Sequence, residues 1–424
     1  MANIESILNK LPPGTQEMFR SIWESIPPSE RSTFQLLLGS FPNDANLLRI
    51  LVNLASVQVK LAFGQKHRVA ILGPANVGKS TLYNQLVRTR NDRAQVSPLP
   101  GTTRINQLAD AGLFTIVDTP GADAVGDVGE NEQKLALTAA EEADFLIIIF
   151  DAIQGVKKTE LELYSRLVAL GKPYIVVLNK VDLVRRETKQ LISHVAVSLN
   201  LKPEQVIPIV ARSGENLSNV LMAVAVTEPE LVAALGQALP QYRWQLAWRT
   251  IVGAASVSAV IALAPLPVVD FVPLVITQSV MVLGIARIYN YKITIQRARE
   301  LVLTFGLGFL GRTLFEELSK FGGLPGWLLS AAIASSTTVV MGYAAVIWFE
   351  RGEKLSSESL RKLTGEMTQY LLSSLKDIVK RKPDRKSLQQ RISESLEKSP
   401  IAENREVLDN ESHTEKPQSS IHEG

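Results

Sequence analysis

The feature that most restricts the fold of this chain is the octapeptide of residues 73–80, Gly-Pro-Ala-Asn-Val-Gly-Lys-Ser. It follows a short apolar run and precedes a segment of helix length. Two glycines allow the backbone to curve so that its N–H groups point inward, and the following helix directs the positive end of its dipole at the same point. The pattern GxxxxGK[ST] between a strand and a helix therefore predicts a loop that binds phosphate groups.

Each polar side chain of this loop has a predicted role. Lys79 is expected to neutralise the terminal phosphates, and the hydroxyl of Ser80 is expected to be a Mg²⁺ ligand. A chance glycine-rich turn is the alternative, but the strand before the loop and the helix after it favour phosphate binding. The predicted phosphate-binding residues are Gly73, Asn76, Val77, Gly78, Lys79, Ser80 and Thr81.

Around this loop, residues 67–227 alternate short apolar runs with segments of helix length. Five runs are predicted to be strands: 67–72, 113–118, 144–150, 174–179 and 206–211. Strands that alternate with helices favour a mostly parallel sheet that is covered on both faces. The prediction is an α/β domain with a phosphate-binding loop, flanked by all-helical N-terminal and C-terminal regions.

Two segments that end predicted strands identify the nucleotide. In 118–121, Asp-Thr-Pro-Gly, Asp118 is expected to hold Mg²⁺ through water and the N–H of Gly121 to meet the terminal phosphate. In 179–182, Asn-Lys-Val-Asp, the carboxylate of Asp182 can accept two hydrogen bonds from the N1–H and 2-amino groups of guanine. Adenine lacks this pair of donors, so the order of the motifs predicts a guanine nucleotide.

Residues from two loops complete the predicted guanine pocket. Asn179 and Lys180 are expected to brace the base and the phosphate loop. After the last predicted strand, a backbone N–H at Ala211 or Arg212 is expected to reach the guanine carbonyl oxygen.

With these motifs in this order, residues 67–227 resemble the small GTPases of the Era/TrmE type. The resemblance rests on GPANVGKS, on PGTTR at 100–104, on DTPG and on NKVD. It implies GTP hydrolysis, and it implies that Thr103 ligates Mg²⁺ when GTP is bound. The chain departs from the family at 210–212, where Val-Ala-Arg replaces the usual Ser-Ala-Lys.

The resemblance leaves the hydrolytic machinery open. Ala122 stands where Ras-like enzymes place a water-orienting Gln, so a slow GTPase that needs a partner is expected. A sharper hypothesis is that Asn76 coordinates a potassium ion, as in family members with Asn at this place. The predicted catalytic residues are Lys79, Asn76, Thr103 and Gly121.

Other charged residues of this domain have weaker predictions. Arg104, Arg185 and Arg186 qualify as arginine fingers by residue type alone, and solvated loop arginines are the more ordinary interpretation. Asp151 ends a predicted strand and is interpreted as a structural residue that caps the next segment.

Composition excludes several other classes of protein. The absence of cysteine excludes disulfides, thiolate metal sites and a cysteine nucleophile. The four histidines share no ligand spacing, so a zinc enzyme is not expected. The formal net charge of +3 argues against a strongly basic nucleic-acid-binding protein, and no signal-peptide pattern is visible at the start, so most of the chain is expected in the cytosol.

Residues 241–349 are unusually poor in charge, with eight Lys or Arg and four Asp or Glu. The run 321–349 has no charge, and Trp327 and Trp348 bracket a length of about 30 Å as a helix, the thickness of a bilayer core. The run 250–286 has one charge, Asp270, and is predicted to form two short helices joined at 265–273. The region that contains this run resembles the uncharacterised helical domain of YcjF-like bacterial proteins. A membrane-associated domain is favoured over a soluble helical bundle.

The predicted layout is therefore an N-terminal helical region (1–66), a GTP-binding domain (67–227), an apolar helical domain (228–350), and an amphipathic helix with a disordered tail (351–424). The expected partners are GTP or GDP, a lipid membrane, and a second copy or another protein, whereas nucleic acid is not expected. The favoured function is a GTP-driven switch on the cytoplasmic side of a membrane, whose loops near 90–104 and 121–132 are ordered by GTP. The alternatives are a ribosome- or RNA-associated GTPase and a dynamin-like membrane-remodelling GTPase.

Overall fold

The computed structural model describes residues 68–87, 107–109, 113–119, 127–263, 271–291, 324–376 and 383–403, with isolated positions at 16, 20, 23, 24, 28, 31 and 66. The chain divides into two compact units, one of Gly64–Leu246 and one of Met1–Phe63 with Ala247–Gly424. The predicted N-terminal helices and the tail beyond residue 403 lie outside the described residues.

The first unit is built on a six-stranded sheet in the order β2-β3-β1-β4-β5-β6. Neighbouring strands are parallel except β2, which runs antiparallel to β3 at one edge. The sequence did not predict β2, because three residues are too few to show a period. The strands are β1 (Val69–Pro74), β2 (Gln107–Ala109), β3 (Phe114–Thr119), β4 (Phe145–Asp151), β5 (Tyr174–Asn179) and β6 (Val206–Pro208).

Helices cover both faces of this sheet, which confirms the predicted fold class. Leu72, Leu146 and Leu178 belong to a fully buried cluster that also contains side chains of α2, α3 and α4. Their neighbours in sequence point to the opposite face, where α1 contacts β1 and α5 contacts β5. The helices are α1 (Lys79–Leu86), α2 (Asp127–Glu142), α3 (Lys158–Ala169), α4 (Thr188–Ser198) and α5 (Leu217–Thr227).

The register of the strands gathers the predicted motifs at one edge of the sheet. Gly73 pairs with Asp118 across β1 and β3, and Asp151 pairs with Asn179 across β4 and β5. The carboxyl ends of parallel strands face the same way, so the loops that follow them form one crevice.

The first unit continues beyond residue 227, where the sequence placed the end of the GTP-binding domain. Helix α6 (Val232–Ala238) lies between two 3₁₀ turns, Pro229–Leu231 and Pro240–Tyr242. Gln241 Nε2 donates to the carbonyl oxygen of Leu86 at 2.7 Å, which attaches this segment to the end of α1. The domain boundaries drawn from the sequence stay a prediction.

An ion pair joins the start of the first unit to the segment after α5. Lys66 Nζ lies 2.7 Å from Glu228 Oε2. Burial lowers the pKa of Lys66, but the hydrogen bond and the negative charge of Glu228 outweigh this effect and raise the pKa above its ordinary value.

The described part of the second unit is helical. It has the two helices that were predicted within 250–286, and the residues between them, 264–270, lie outside the described residues. The helices are α7 (Arg243–Ile261), whose first four residues belong to the first unit, α8 (Phe271–Ile288), α9 (Gly326–Arg351), α10 (Ser357–Ser374), α11 (Arg385–Glu397) and α12 (Pro400–Glu403).

Helices α7, α8 and α9 meet around a small buried polar network. Gln278 Nε2 donates to Thr338 Oγ1 at 3.1 Å, and Thr338 Oγ1 donates to Ser258 Oγ at 2.9 Å. Buried polar groups are costly unless they are paired, so this network favours one register of the three helices.

Helix α9 is long and apolar enough to cross a membrane, with a mean hydropathy of 1.5 in its most apolar window. Within the unit, however, 89% of that window is buried by other parts of the chain. The central helix of a soluble bundle has the same length and composition, so α9 by itself does not distinguish a membrane domain from a bundle.

The C-terminal region has α10 before Pro383, and α11 and α12 after it. Asp384 caps α11 by accepting the N–H of Ser387 at 3.0 Å. The apolar stripe of α11 is buried: Leu388, Ile392 and Leu396.

Gly342 is the point where α9 lies closest to its neighbours. A Cβ at this position would lie 3.0 Å from Ile251 Cδ1 and 3.1 Å from Met281 Sδ. We expect Gly342→Leu to lower the free energy of unfolding of the second unit by about 1–3 kcal/mol, because the core there has no room for the side chain. Urea unfolding monitored by tryptophan emission measures this, since four of the five tryptophans, at 23, 248, 327 and 348, belong to that unit.

The matched control for this substitution is Gly326→Leu. Gly326 begins the same helix, and a Cβ there would meet nothing within 4 Å. Equal unfolding midpoints for the two variants would contradict the close packing of α9 against α7 and α8.

Candidate nucleotide-binding site

Both glycines of the phosphate loop are required by close approaches of the backbone. A Cβ on Gly73 would collide with the carbonyl oxygen of Ile149 in β4. Gly78 has φ 100°, in the left-handed region, and a Cβ there would collide with the amide nitrogen of Asn179. Gly78 directly precedes α1, so the glycine pattern serves both the bend and the start of the helix.

Lys79 is the first residue of α1 and is buried beneath the loop. Its side chain is only 3% exposed, and Nζ donates to the carbonyl oxygens of Gly73 at 2.7 Å and Pro74 at 2.6 Å. A buried ammonium needs such acceptors. They hold the charge inside the loop, where the sequence predicts the phosphates.

Asn179 connects the phosphate loop to the loop after β6. Its Nδ2 donates to the carbonyl oxygen of Val77 at 2.7 Å, and its Oδ1 accepts the N–H of Ala211 at 2.9 Å. The side chain is 3% exposed. One buried amide therefore sets the spacing between the predicted phosphate and base sites.

Lys180, the next residue, also contacts the phosphate loop. Its Nζ donates to the carbonyl oxygen of Asn76 at 2.7 Å and to Asp151 Oδ2 at 2.7 Å. The side chain of Asn76 is exposed on the loop. Asn179 and Lys180 thus both contact the phosphate loop, and Asp151 is an additional partner of Lys180.

The remaining predicted guanine contacts lie beside these residues. Asp182 is half-buried in the first turn of the 3₁₀ helix Val181–Val184. Ala211 is buried and Arg212 is exposed. The sequence analysis missed Gln85 in α1, whose Nε2 donates to the carbonyl oxygen of Arg212 at 2.8 Å, because no motif marks a glutamine in that helix.

The predicted magnesium ligands are described only in part. Ser80 and Thr81 are half-buried in the first turn of α1. The backbone of Asp118 lies beside Gly73 in the sheet, while Thr103, Arg104 and Gly121 lie outside the described residues. The predicted ligands are the hydroxyls of Ser80 and Thr103 and the carboxylate of Asp118. These are hard oxygen donors of the kind that Mg²⁺ prefers, so the residue types fit the ion.

Two of the three arginine-finger candidates are exposed. Arg185 forms a surface ion pair with Glu215 at 3.6 Å, and Arg186 is exposed as well. An exposed ion pair of this kind contributes little to stability, so it does not hold the Arg185 side chain in one position.

Comparison with known proteins identifies relatives of two segments of the chain. Residues 68–180 match the family described as "50S ribosome-binding GTPase". Residues 227–377 match the family described as "Domain of unknown function (DUF697)".

Three GTPases are among the curated proteins with similar sequences. GTPase Der of Psychrobacter arcticus is 41% identical over 122 residues, which cover 27% of this chain and 25% of Der. GTPase Era of Aquifex aeolicus is 33% identical over 173 residues, which cover 38% and 56%. The tRNA modification GTPase MnmE of Pseudothermotoga lettingae is 34% identical over 192 residues, which cover 42% and 41%. The chain thus spans only a quarter to about half of the length of these relatives.

A similar solved structure is that of Era in complex with MgGDPNP and nucleotides 1506–1542 of 16S ribosomal RNA. It is 28% identical, the match covers 46% of this chain and 68% of Era, and the TM-score is 0.35. This TM-score is too low to support an argument about this chain.

Asn179→Ala tests whether one amide joins the two halves of the site. The substitution leaves the Val77 carbonyl and the Ala211 N–H without their partner, at a cost of about 1–3 kcal/mol for each buried group. We expect the affinity for a guanine nucleotide to fall by about tenfold or more, as measured by titration with a fluorescent analogue.

Asn219→Ala is the control, because Asn219 is an exposed asparagine in α5 of the same unit. If both variants bind nucleotide as the unmodified chain does, Asn179 does not hold the site together.

Proposed function

We propose that this chain, whose residues 68–180 form a GTPase domain of the Era, Der and MnmE type, binds GTP and hydrolyses it to GDP and phosphate. The observation that carries the proposal is that Asn179 and Lys180 both donate hydrogen bonds to carbonyl groups of the phosphate loop. These bonds bring the phosphate motif and the guanine motif together in one crevice. The resemblance inferred from GPANVGKS, DTPG and NKVD is confirmed by the match of this segment.

The preference for guanine rests on the position of Asp182. It comes two residues after Lys180, in the first turn of the 3₁₀ helix that follows β5, at the same edge of the sheet as the phosphate loop. A carboxylate that accepts both the N1–H and the 2-amino group of guanine forms a charge-assisted bidentate pair, which adenine cannot match. The N–H groups near Ala211 would complete the contact with the base.

Magnesium would be held by Ser80, by Thr103 and, through water, by Asp118, and it would neutralise charge on the terminal phosphates of GTP. Lys79 would bind the same phosphates from the loop, and the N–H of Gly121 would meet the terminal one. Because Ala122 cannot orient the attacking water, the intrinsic rate is expected to be slow. Asn76 is proposed to supply the missing positive charge by holding K⁺ beside the phosphates.

Asp182→Asn tests the base assignment. We expect GTP affinity to fall by about a hundredfold, because the charge-assisted pair is lost, and xanthine nucleotide to bind better, because an amide can donate to its 2-oxo group. Competition between GTP, XTP and ATP for a fluorescent nucleotide measures both effects. Lys79→Ala is expected to abolish binding of every nucleotide.

The control is Glu187→Gln, an exposed acidic residue shortly after the same loop. Unchanged GTP affinity in both Asp182→Asn and Lys79→Ala would reject the proposed site.

Asn76→Gly tests the potassium hypothesis without disturbing the loop. Asn76 has φ 64°, which glycine adopts at no steric cost, so the substitution removes the side-chain amide and its oxygen while the backbone conformation stays allowed. We expect phosphate release by the unmodified chain to be at least about tenfold faster in KCl than in NaCl, as for other electrostatic groups at a transition state, and the difference to disappear in the variant.

Asn200→Gly is the matched control, since Asn200 also has a positive φ of 55° but lies in an exposed turn after α4. Equal rates in the two salts for the unmodified chain would end the potassium hypothesis and leave the GTPase assignment intact.

A membrane is the proposed location. Support comes from the low charge of residues 241–349, from the length of α9 and from the half-buried tryptophans near its two ends, Trp327 and Trp348. Since most of α9 is covered within its unit, contact with lipid would fall to its neighbours. GTP binding at the cytoplasmic side is proposed to switch this helical unit.

Ribosome association is the second candidate, because the family that matches residues 68–180 is described as ribosome-binding. The near-balanced charge and the absence of a recognisable basic RNA-binding module in the sequence weigh against it.

One fractionation separates the two candidates. In a density-gradient flotation of a lysate that contains the full chain, we expect the chain to float with membranes and to remain with them after a carbonate wash. Co-sedimentation with ribosomes would favour the second candidate, and soluble fractions after the wash would show a soluble bundle. An integral membrane protein and a ribosomal protein serve as position markers.

A further inference from the structure

Asp151, at the end of β4, does more than cap the turn that follows it. Its Oδ1 accepts the N–H of Ile153 at 2.8 Å, which is the structural role predicted from the sequence. Its Oδ2 accepts Lys180 Nζ at 2.7 Å. The side chain of Asp151 is 2% exposed and that of Lys180 is 30% exposed, so the pair is largely removed from solvent.

Through Lys180, the carboxylate reaches the phosphate loop. The same ammonium donates to the carbonyl oxygen of Asn76 at 2.7 Å. A carboxylate after β4, an ammonium after β5 and a carbonyl after β1 therefore form a chain of contacts across three neighbouring strands.

This chain of contacts holds two residues in an unfavourable backbone conformation. Lys180 has φ 65° and Asn76 has φ 64°. The left-handed region costs a residue with a Cβ about 1–2 kcal/mol, and lysine lacks the local hydrogen bonds that help asparagine there. Such conformations persist where surrounding contacts hold them in place. Here the Lys180 ammonium supplies those contacts, because it is bound to Asp151 on one side and to the carbonyl of Asn76 on the other.

We propose that Asp151 is a positioning residue for the phosphate loop, because it holds the Lys180 ammonium against the carbonyl of Asn76. This inference rests on the proposed function, since it gives Asp151 a part in GTP turnover. Asp151 acts through Lys180 and not on the nucleotide. The charge matters because hydrogen bonds between ionised groups are roughly twice as strong as neutral ones.

Asp151→Asn is the substitution that separates the two roles. It keeps an oxygen for the N–H of Ile153 and places an NH2 group, which is a donor, where Oδ2 accepts from Lys180, so the ammonium loses this acceptor. We expect kcat/KM for GTP to fall by about tenfold or more, because the charge-assisted hydrogen bond from Lys180 is lost and two donor groups face each other.

The control is Glu160→Gln, which neutralises a second buried carboxyl group of the same unit. Glu160 is 5% exposed and accepts the backbone N–H of Lys157 at 3.2 Å. Its kcat/KM is expected to stay within about twofold of the unmodified chain, because its hydrogen bond is to the backbone of Lys157 and not to Lys180 or the phosphate loop.

A double-substitution cycle with Lys180→Met shows whether Asp151 acts through Lys180. In the Lys180→Met background, Asp151→Asn is expected to change kcat/KM by less than about twofold, because the ammonium that it would hold is gone. It is also expected to raise the melting temperature of that variant, since Lys180→Met leaves a buried carboxylate without its partner. This comparison remains decisive if Asp151→Asn alone folds poorly.

Two results would overturn the proposal. An unchanged kcat/KM in Asp151→Asn would show that Asp151 only stabilises the turn after β4. An equal loss of kcat/KM in the unmodified and the Lys180→Met backgrounds would show that Asp151 does not act through Lys180. The unmodified chain is assayed first for GTP binding. If the unmodified chain does not bind GTP, the proposed function itself is rejected. If it turns GTP over normally and Asp151→Asn has the same kcat/KM, only the positioning role is rejected.

Discussion

The nucleotide site depends on holding a tight loop at the end of β1 in a conformation that the loop does not favour by itself. Asn76 and Gly78 both have positive φ, and the carbonyls of Asn76 and Val77 accept hydrogen bonds from Lys180 and Asn179. These two side chains come from consecutive residues at the end of β5, two strands away. The parallel register of β1, β4 and β5 brings them within reach, so the sheet sets the geometry of the loop.

The sequence predicted the parts of this site that depend on residue type and spacing. Sequence patterns are enough to recognise glycines at a bend, a lysine at the start of a helix and apolar runs of strand length. The five predicted strands match β1, β3, β4, β5 and β6. Contacts from a side chain to a distant backbone carbonyl could not be predicted. Gln85, Gln241 and the second bond of Asp151 belong to this class, because their partners are set by strand order and not by any local pattern.

The helical unit shows where composition ceases to discriminate. The same small and apolar residues suit a lipid-facing helix and the centre of a bundle. The structure adds the buried network of Ser258, Gln278 and Thr338 and the close approach at Gly342, which make α7, α8 and α9 one packed unit.

The most direct test of the account is multiple-turnover phosphate release by the purified full chain with Mg²⁺ and K⁺, supplied with GTP or ATP at equal concentration. The account predicts slow release from GTP that saturates with substrate, and no release from ATP above the level of the Lys79→Ala variant. Equal release from the two nucleotides, or none from GTP while that nucleotide is bound, would contradict the claim that this crevice is a guanine-specific hydrolytic site.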